Sequence, residues 1–196
     1  MKKLFLVASL GLLGLASSGQ SFQKNDLILS GGLGRSIFAL GNWSTYQSIP
    51  GFSSTLFQPI TLKAEFALSN EIGLGFSTVY SAASARWQDQ GYSYESSYNK
   101  LSITPRLNIH FLRKKVLDMY VGGGLGYKTG EYLFKSNDPS FAPVSSIGVI
   151  PISLEASLGM RAYITPDLGA FAEFGAGHGY LHFGVVYKPL ARTRND

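Results

Sequence analysis

Cysteine is absent from the 196 residues, which excludes disulfides, thiol catalysis and cysteine-ligated metal. Charge is scarce: Asp, Glu, Lys and Arg make up 15% of the chain, against about 25% in typical soluble domains. Histidine occurs three times. Only one long apolar run exists, residues 4–15, and at twelve residues it falls short of the ~20 that a membrane-spanning helix requires. Glycine, at 23 residues, and aromatics, at 13%, are what the chain has in quantity. An apolar outer belt around a small polar interior would use that mixture.

The N-terminus reads as a secretory signal. Met1-Lys2-Lys3 is a basic n-region, residues 4–15 an apolar h-region, and Ala16-Ser17-Ser18-Gly19 a run of small residues. Cleavage is expected after Gly19. Removing residues 1–19 lowers Lys+Arg from 17 to 15 against 12 acids, so the net charge falls from +5 to +3. That residual charge is a weak basis for nucleic-acid binding. The expected organisation is a signal peptide over residues 1–19, one β-barrel domain over 20–190 and a basic tail over 191–196.

Residues 101–111, LSITPRLNIHF, organise the rest. Leu101, Ile103, Pro105, Leu107, Ile109 and Phe111 are apolar; Ser102, Thr104, Arg106, Asn108 and His110 between them are polar. Strict alternation over this length marks a strand with one apolar and one polar face, as long as a transmembrane β-strand needs to be. Comparable strands are expected at 26–34, 58–68, 72–80, 117–128, 150–163, 168–176 and 181–188. That makes eight. The connections alternate long and short, with tight turns at Ser69-Asn70-Glu71, Arg113-Lys114-Lys115 and Thr165-Pro166-Asp167. Long loops are expected at 35–56, 82–100 and 129–148. Tyr80 and Tyr127 then fall at the outer strand ends, and Phe66, Phe111 and Tyr187 at the inner ends, as two interfacial girdles. The fold class is therefore all-β, an eight-stranded antiparallel up-and-down transmembrane barrel.

Over residues 26–188 the pattern, with the phrases YVGGGLGY (Tyr120 to Tyr127) and FAEFGAG (Phe171 to Gly177), resembles the small outer-membrane barrels of the OmpA/OmpX kind. It is also similar to the related outer membrane protein β-barrel domain, porin-like, families. The resemblance implies a bacterial outer-membrane location. It departs from those barrels at the C-terminus: they commonly end on an aromatic residue that assembly machinery reads, whereas this chain continues past Tyr187. Gly41-Asn42-Trp43 is similar to the lipocalin G-x-W of soluble barrels. A water-facing sheet would be dense in Lys and Glu, however, and these polar faces are mostly Gly, Ser and Thr.

The polar faces collect Lys63, Glu65, Arg106, His110, Asp118, Glu155, Arg161, Glu173 and Lys188. In an eight-stranded barrel the interior is filled by side chains, so these charges are expected to pair across the lumen as a structural cluster, with His110 reaching Asp118 across the 113–115 turn. His178 and His182, four apart on a strand, lie about 13 Å from each other, too far for one metal ion. Gly122-Gly123-Gly124-Leu125-Gly126 fails the dinucleotide fingerprint because Tyr127 occupies its sixth position. No G-x-S-x-G elbow occurs. No catalytic residue, cofactor or metal ligand is expected. The expected role is a non-enzymatic membrane anchor displaying loops for surface interaction or envelope integrity. A small passive pore is the main alternative, and a lipid-modifying enzyme the second. Expected partners are outer-membrane lipid and, through the loops, a surface protein or glycan; nucleic acid is not expected, and the barrel is expected to be monomeric.

Overall fold

The structure, a computed structural model, describes residues 21–35, 51–147, 150–177 and 179–189. The expected signal peptide and basic tail, His178 and the 41–43 triplet lie outside the described residues. Nine antiparallel strands form among those described: β1 (Leu27–Arg35), β2 (Ser53–Ala67), β3 (Ile72–Asp89), β4 (Tyr92–Arg113), β5 (Leu117–Ser136), β6 (Val144–Ile147), β7 (Ile152–Tyr163), β8 (Leu168–Ala176) and β9 (Leu181–Tyr187). Both β6 and β7 pair with β5, one beyond the other: Phe134↔Val144 to Glu131↔Ile147, then Tyr127↔Ile152 to Leu117↔Ala162. They occupy one position in the ring, which closes through β1–β9 and β4–β5 as an eight-stranded barrel. Closure leaves the belt no unpaired backbone edge, the condition for putting a sheet in hydrocarbon.

Alternation sets the two faces. On β4, Ser102, Thr104, Arg106, Asn108 and His110 are buried, while Leu101, Ile103, Leu107, Ile109 and Phe111 are exposed. The same inversion of the usual soluble pattern runs round the barrel: Leu62, Leu74, Leu125, Leu154 and Phe174 are all outward and exposed. Tyr80 and Tyr127 are exposed at one level of this belt, and Phe66, Phe111 and Tyr187 at the other. From Leu101, which pairs with Tyr80, down to Phe111, ten steps of ~3.4 Å tilted by ~40° rise about 26 Å, the height of an outer-membrane apolar band. This is a barrel with a lipid-facing exterior.

The expected loop at 82–100 is instead a β-hairpin. β3 continues to Asp89 and β4 begins at Tyr92, with unbroken pairing from Tyr80↔Leu101 to Asp89↔Tyr92. Gln90 (φ 49°) and Gly91 (φ 87°) make the turn between them, a two-residue connection with both φ positive, the type I′ geometry that suits strand twist. The expected loop at 129–148 is also largely strand, since β5 runs to Ser136 and β6 follows. Of the 35–56 loop, residues 53–56 belong to β2, and 36–50 lie outside the described residues. Ser and Tyr content made these stretches look like loops, but their β-branch-poor alternation is satisfied by cross-strand pairs outside the lipid.

Arg placed at Leu107 or Leu154 should destabilise the barrel by about 2–4 kcal/mol near the midplane. Arg at Ser84, outward-facing above the Tyr80 level, should change stability by no more than about 0.5 kcal/mol. Reversible denaturant unfolding in lipid vesicles measures both; equal losses at the two levels would contradict the belt.

Candidate functional site

The lumen is a continuous ionic core. Arg106, from β4, donates from Nη1 to Glu155 Oε1 at 2.8 Å, from Nε to Asn108 Oδ1 at 3.0 Å and from Nη2 to Ser157 Oγ at 3.0 Å. Its Nη2 also lies 3.1 Å from Glu173 Oε1. Lys63, from β2, closes an ion pair on Glu173, and Ser77 donates to Glu155. Nearer the inner end, Arg161 pairs with Glu65 and reaches Asp118 Oδ2 at 3.3 Å. His110 stands between two carboxylates, Nδ1 at 2.7 Å from Asp118 and Nε2 at 2.8 Å from Glu65.

With both acids ionised, each only accepts, so both ring nitrogens of His110 donate and the ring is an imidazolium. The core then balances: Lys63, Arg106, His110 and Arg161 against Glu65, Asp118, Glu155 and Glu173. Tyr120 ties the two halves together, donating to Glu173 Oε1 at 2.6 Å while its ring lies 4.3 Å from the Arg161 guanidinium carbon. Glycine makes the room. A Cβ on Gly73 would overlap Glu65, one on Gly122 would overlap Arg106 and Asn108, and one on Gly159 would overlap Tyr120. A cavity beside Lys63, Glu155, Glu173 and His182 measures about 10 Å³, room for at most about one water.

Eight of the nine charged residues singled out in the sequence meet in this core. Lys188 does not join it. It sits at the inner rim, 3.3 Å from Asp26 and 5.6 Å from the Tyr163 ring centroid, because β9 ends at Tyr187 just below the lumenal layer. Pattern reading missed Tyr120, although it shares strand parity with Asp118 and the lumenal glycines.

Pattern reading also missed the segment before β1. Ser21 donates its N–H to the Lys114 carbonyl at 3.2 Å and its hydroxyl to the Leu117 carbonyl at 3.0 Å. These bonds fold Phe22 into the inner mouth, fully buried, with its ring stacked 3.5 Å from the His110 ring at 11°. Ile28, Ala67, Tyr163 and Val186 complete that apolar seal. Six residues of irregular chain carry no periodicity to reveal it.

At the other end β3, β4 and β5 each run nine residues past the girdle, and the polarity of their faces reverses. Outward positions are now Arg86, Gln88, Ser93, Glu95 and Lys135; Arg86 and Glu95 form an exposed pair at 2.9 Å. The inward face carries Trp87, Tyr94 and Phe134, with Phe141 against them. Trp87 and Tyr94 stack at 5.5 Å and 12°, and Phe141 meets Tyr94 edge-on at 5.9 Å. Tyr94 donates its hydroxyl to Asp138 Oδ2 at 3.0 Å, and the Ser140 N–H donates to Asp138 Oδ1 at 2.8 Å. Those bonds, the Ser140 N–H first, hold the Asp138 carboxyl below its ordinary value, while burial and then the Asp138 contact push the Tyr94 hydroxyl up.

No family model matches the chain, and no curated protein matches it. Among solved structures it is similar to the N-terminal β-barrel domain of Pseudomonas aeruginosa OprF, at 15% identity and a TM-score of 0.47, over 85% of this chain and 98% of that one. It is also similar to Ail, the attachment invasion locus protein of Yersinia pestis, at 14% identity and a TM-score of 0.46, over 85% and 95% of the two chains.

Truncating Arg161 to Met leaves Glu65 and Asp118 buried without their shared cation and should cost about 3–5 kcal/mol. Arg86→Met removes an exposed pair and should cost no more than about 1 kcal/mol. Unfolding free energies in detergent or vesicles check the contrast; equal effects would show that the lumenal pairs are solvated.

Proposed function

We propose that this chain is a non-enzymatic bacterial outer-membrane protein. Its sealed barrel anchors a sheet that stands above the lipid and carries surface recognition. The observation behind this reading is the continuation of β3, β4 and β5 past the girdle with reversed polarity. Strand pairing there holds some 30 Å of extended chain, at ~3.4 Å per residue, in a fixed position above the membrane. Recognition residues are favoured on segments displayed by a rigid scaffold. The exposed aromatic side chains of this sheet supply contact area at small entropic expense. The lumen supports the same reading, since its charged side chains are engaged with one another across strands and leave little space for a solute.

Replacing residues 82–99 by a two-residue Asn-Gly turn, and 130–147 by a short Gly-Ser connection, should leave the barrel folded and heat-modifiable on gels. The same change should abolish adhesion of expressing cells to host-cell or matrix surfaces. Adhesion that survives both replacements would place recognition elsewhere.

A further inference from the structure

The outer mouth of the barrel holds two lysines of the inward face, Lys100 on β4 and Lys128 on β5. Ser102 pairs with Lys128 and Lys100 with Gly130, so the two lysines occupy adjacent strands, two residues apart in register. Burial first, and then the charge of Lys128, lower the pKa of the Lys100 ammonium below its ordinary value. Both side chains are half-buried. Every cation of the lumenal core beneath them has a carboxylate partner, yet these two have no acidic partner among the described residues. Two like charges held together in a partly enclosed mouth repel one another. An anion between them removes that penalty.

The walls above the lysines carry hydroxyls and flat rings. Tyr98 and Tyr132 are directly paired across β4 and β5, about 7 Å, or two ~3.4 Å steps, above Lys100 and Gly130. The Tyr98 hydroxyl leans over Gly130, where a Cβ would come within 3.2 Å of it. Ser96 donates to the Tyr132 hydroxyl at 3.3 Å. Phe134 stands two residues further out, and Tyr94 with its partner Trp87 four. The inward face is thus graded from cations at its base, through phenols, to stacked aromatic rings at its tip, over about 20 Å of strand at ~3.4 Å per residue. Apolar protein surface would leave the two ammonium groups without counter-charge, and a bare ion would leave the rings unused. A chain of sugar rings bearing acid groups uses all three layers: carboxylates at the lysines, ring hydroxyls at the phenols, and pyranose faces on Trp87 and Tyr94.

We infer that the inward face above the barrel mouth is a binding site for an acidic oligosaccharide of about four sugar units, its acid groups held by Lys100 and Lys128. The inference rests on the recognition role proposed above and names the class of partner.

Isothermal titration of the full chain in detergent micelles, with tetragalacturonate as probe and neutral cellotetraose as control, tests it. Tetragalacturonate should bind, and more weakly as salt rises. The Lys100→Gln/Lys128→Gln variant should lose about tenfold in affinity, and Trp87→Ala about threefold, equivalent to 1.4 and ~0.7 kcal/mol. Lys100→Arg/Lys128→Arg should retain binding, and gel heat-modifiability confirms that each variant is folded. Equal affinity for cellotetraose, no binding of tetragalacturonate, or binding unaffected by the lysine-to-glutamine changes would each overturn the acidic-glycan site. If adhesion still depends on the projecting hairpins in any of those cases, the recognition reading stands without this ligand. If adhesion is independent of them as well, both fall.

Discussion

Charge confined inside a narrow barrel is the constraint on which the rest of this structure depends. An eight-stranded ring leaves an interior that side chains fill, and lipid on the outside offers no alternative place for a polar group. Within the lumenal core each ionised residue finds its opposite on a different strand. Arg106 on β4 reaches Glu155 on β7 and Glu173 on β8; Arg161 on β7 reaches Glu65 on β2 and Asp118 on β5. Such pairs contribute weakly to net stability when compared with apolar packing, and strongly when one member is removed. Here they also fix register. A one-residue slip of any strand would turn its charges into lipid.

Much else follows from that core. Glycine is abundant because Gly73, Gly122 and Gly159 give up their side-chain volume to Glu65, Arg106 and Tyr120. Phe22 belongs to the same scheme: it lays an apolar ring on His110 and closes the inner mouth with Ile28, Tyr163 and Val186. Above the girdle the constraint relaxes. Water solvates the outward face, the inward face need not be neutral, and aromatic rings and two lysines without an acidic partner among the described residues appear there. The recognition proposed above is assigned to the part of the chain where the membrane ceases to dictate composition.

How much of this was legible in the sequence depended on which rule governed each segment. Within the lipid, the period of two is enforced by hydrocarbon on one side and a crowded lumen on the other, so the strand at 168–176 and the charged inward residues could be read directly from alternation. Outside the lipid, both faces of 82–100 meet water or half-exposed rings. Its Ser, Tyr and Asn content then resembles a loop, and only Gln90-Gly91 marks the hairpin. The inner seal was illegible for a different reason: Phe22 acts through a single buried contact in an irregular segment, and a lone aromatic carries no pattern. Lys188 shared the parity of the lumenal set, but it lies one residue past the end of β9, where it pairs with Asp26.

The central claim is that the lumenal charges form a closed core and not a path. Conductance of the purified wild-type protein in planar bilayers tests it most directly. With the cavity beside Lys63, Glu155 and Glu173 at about 10 Å³, and eight strands where water-filled porins have about 16–18, the account predicts no steady channels. Stable, ion-selective openings whose selectivity changes when Arg106 or Glu155 is neutralised would contradict it.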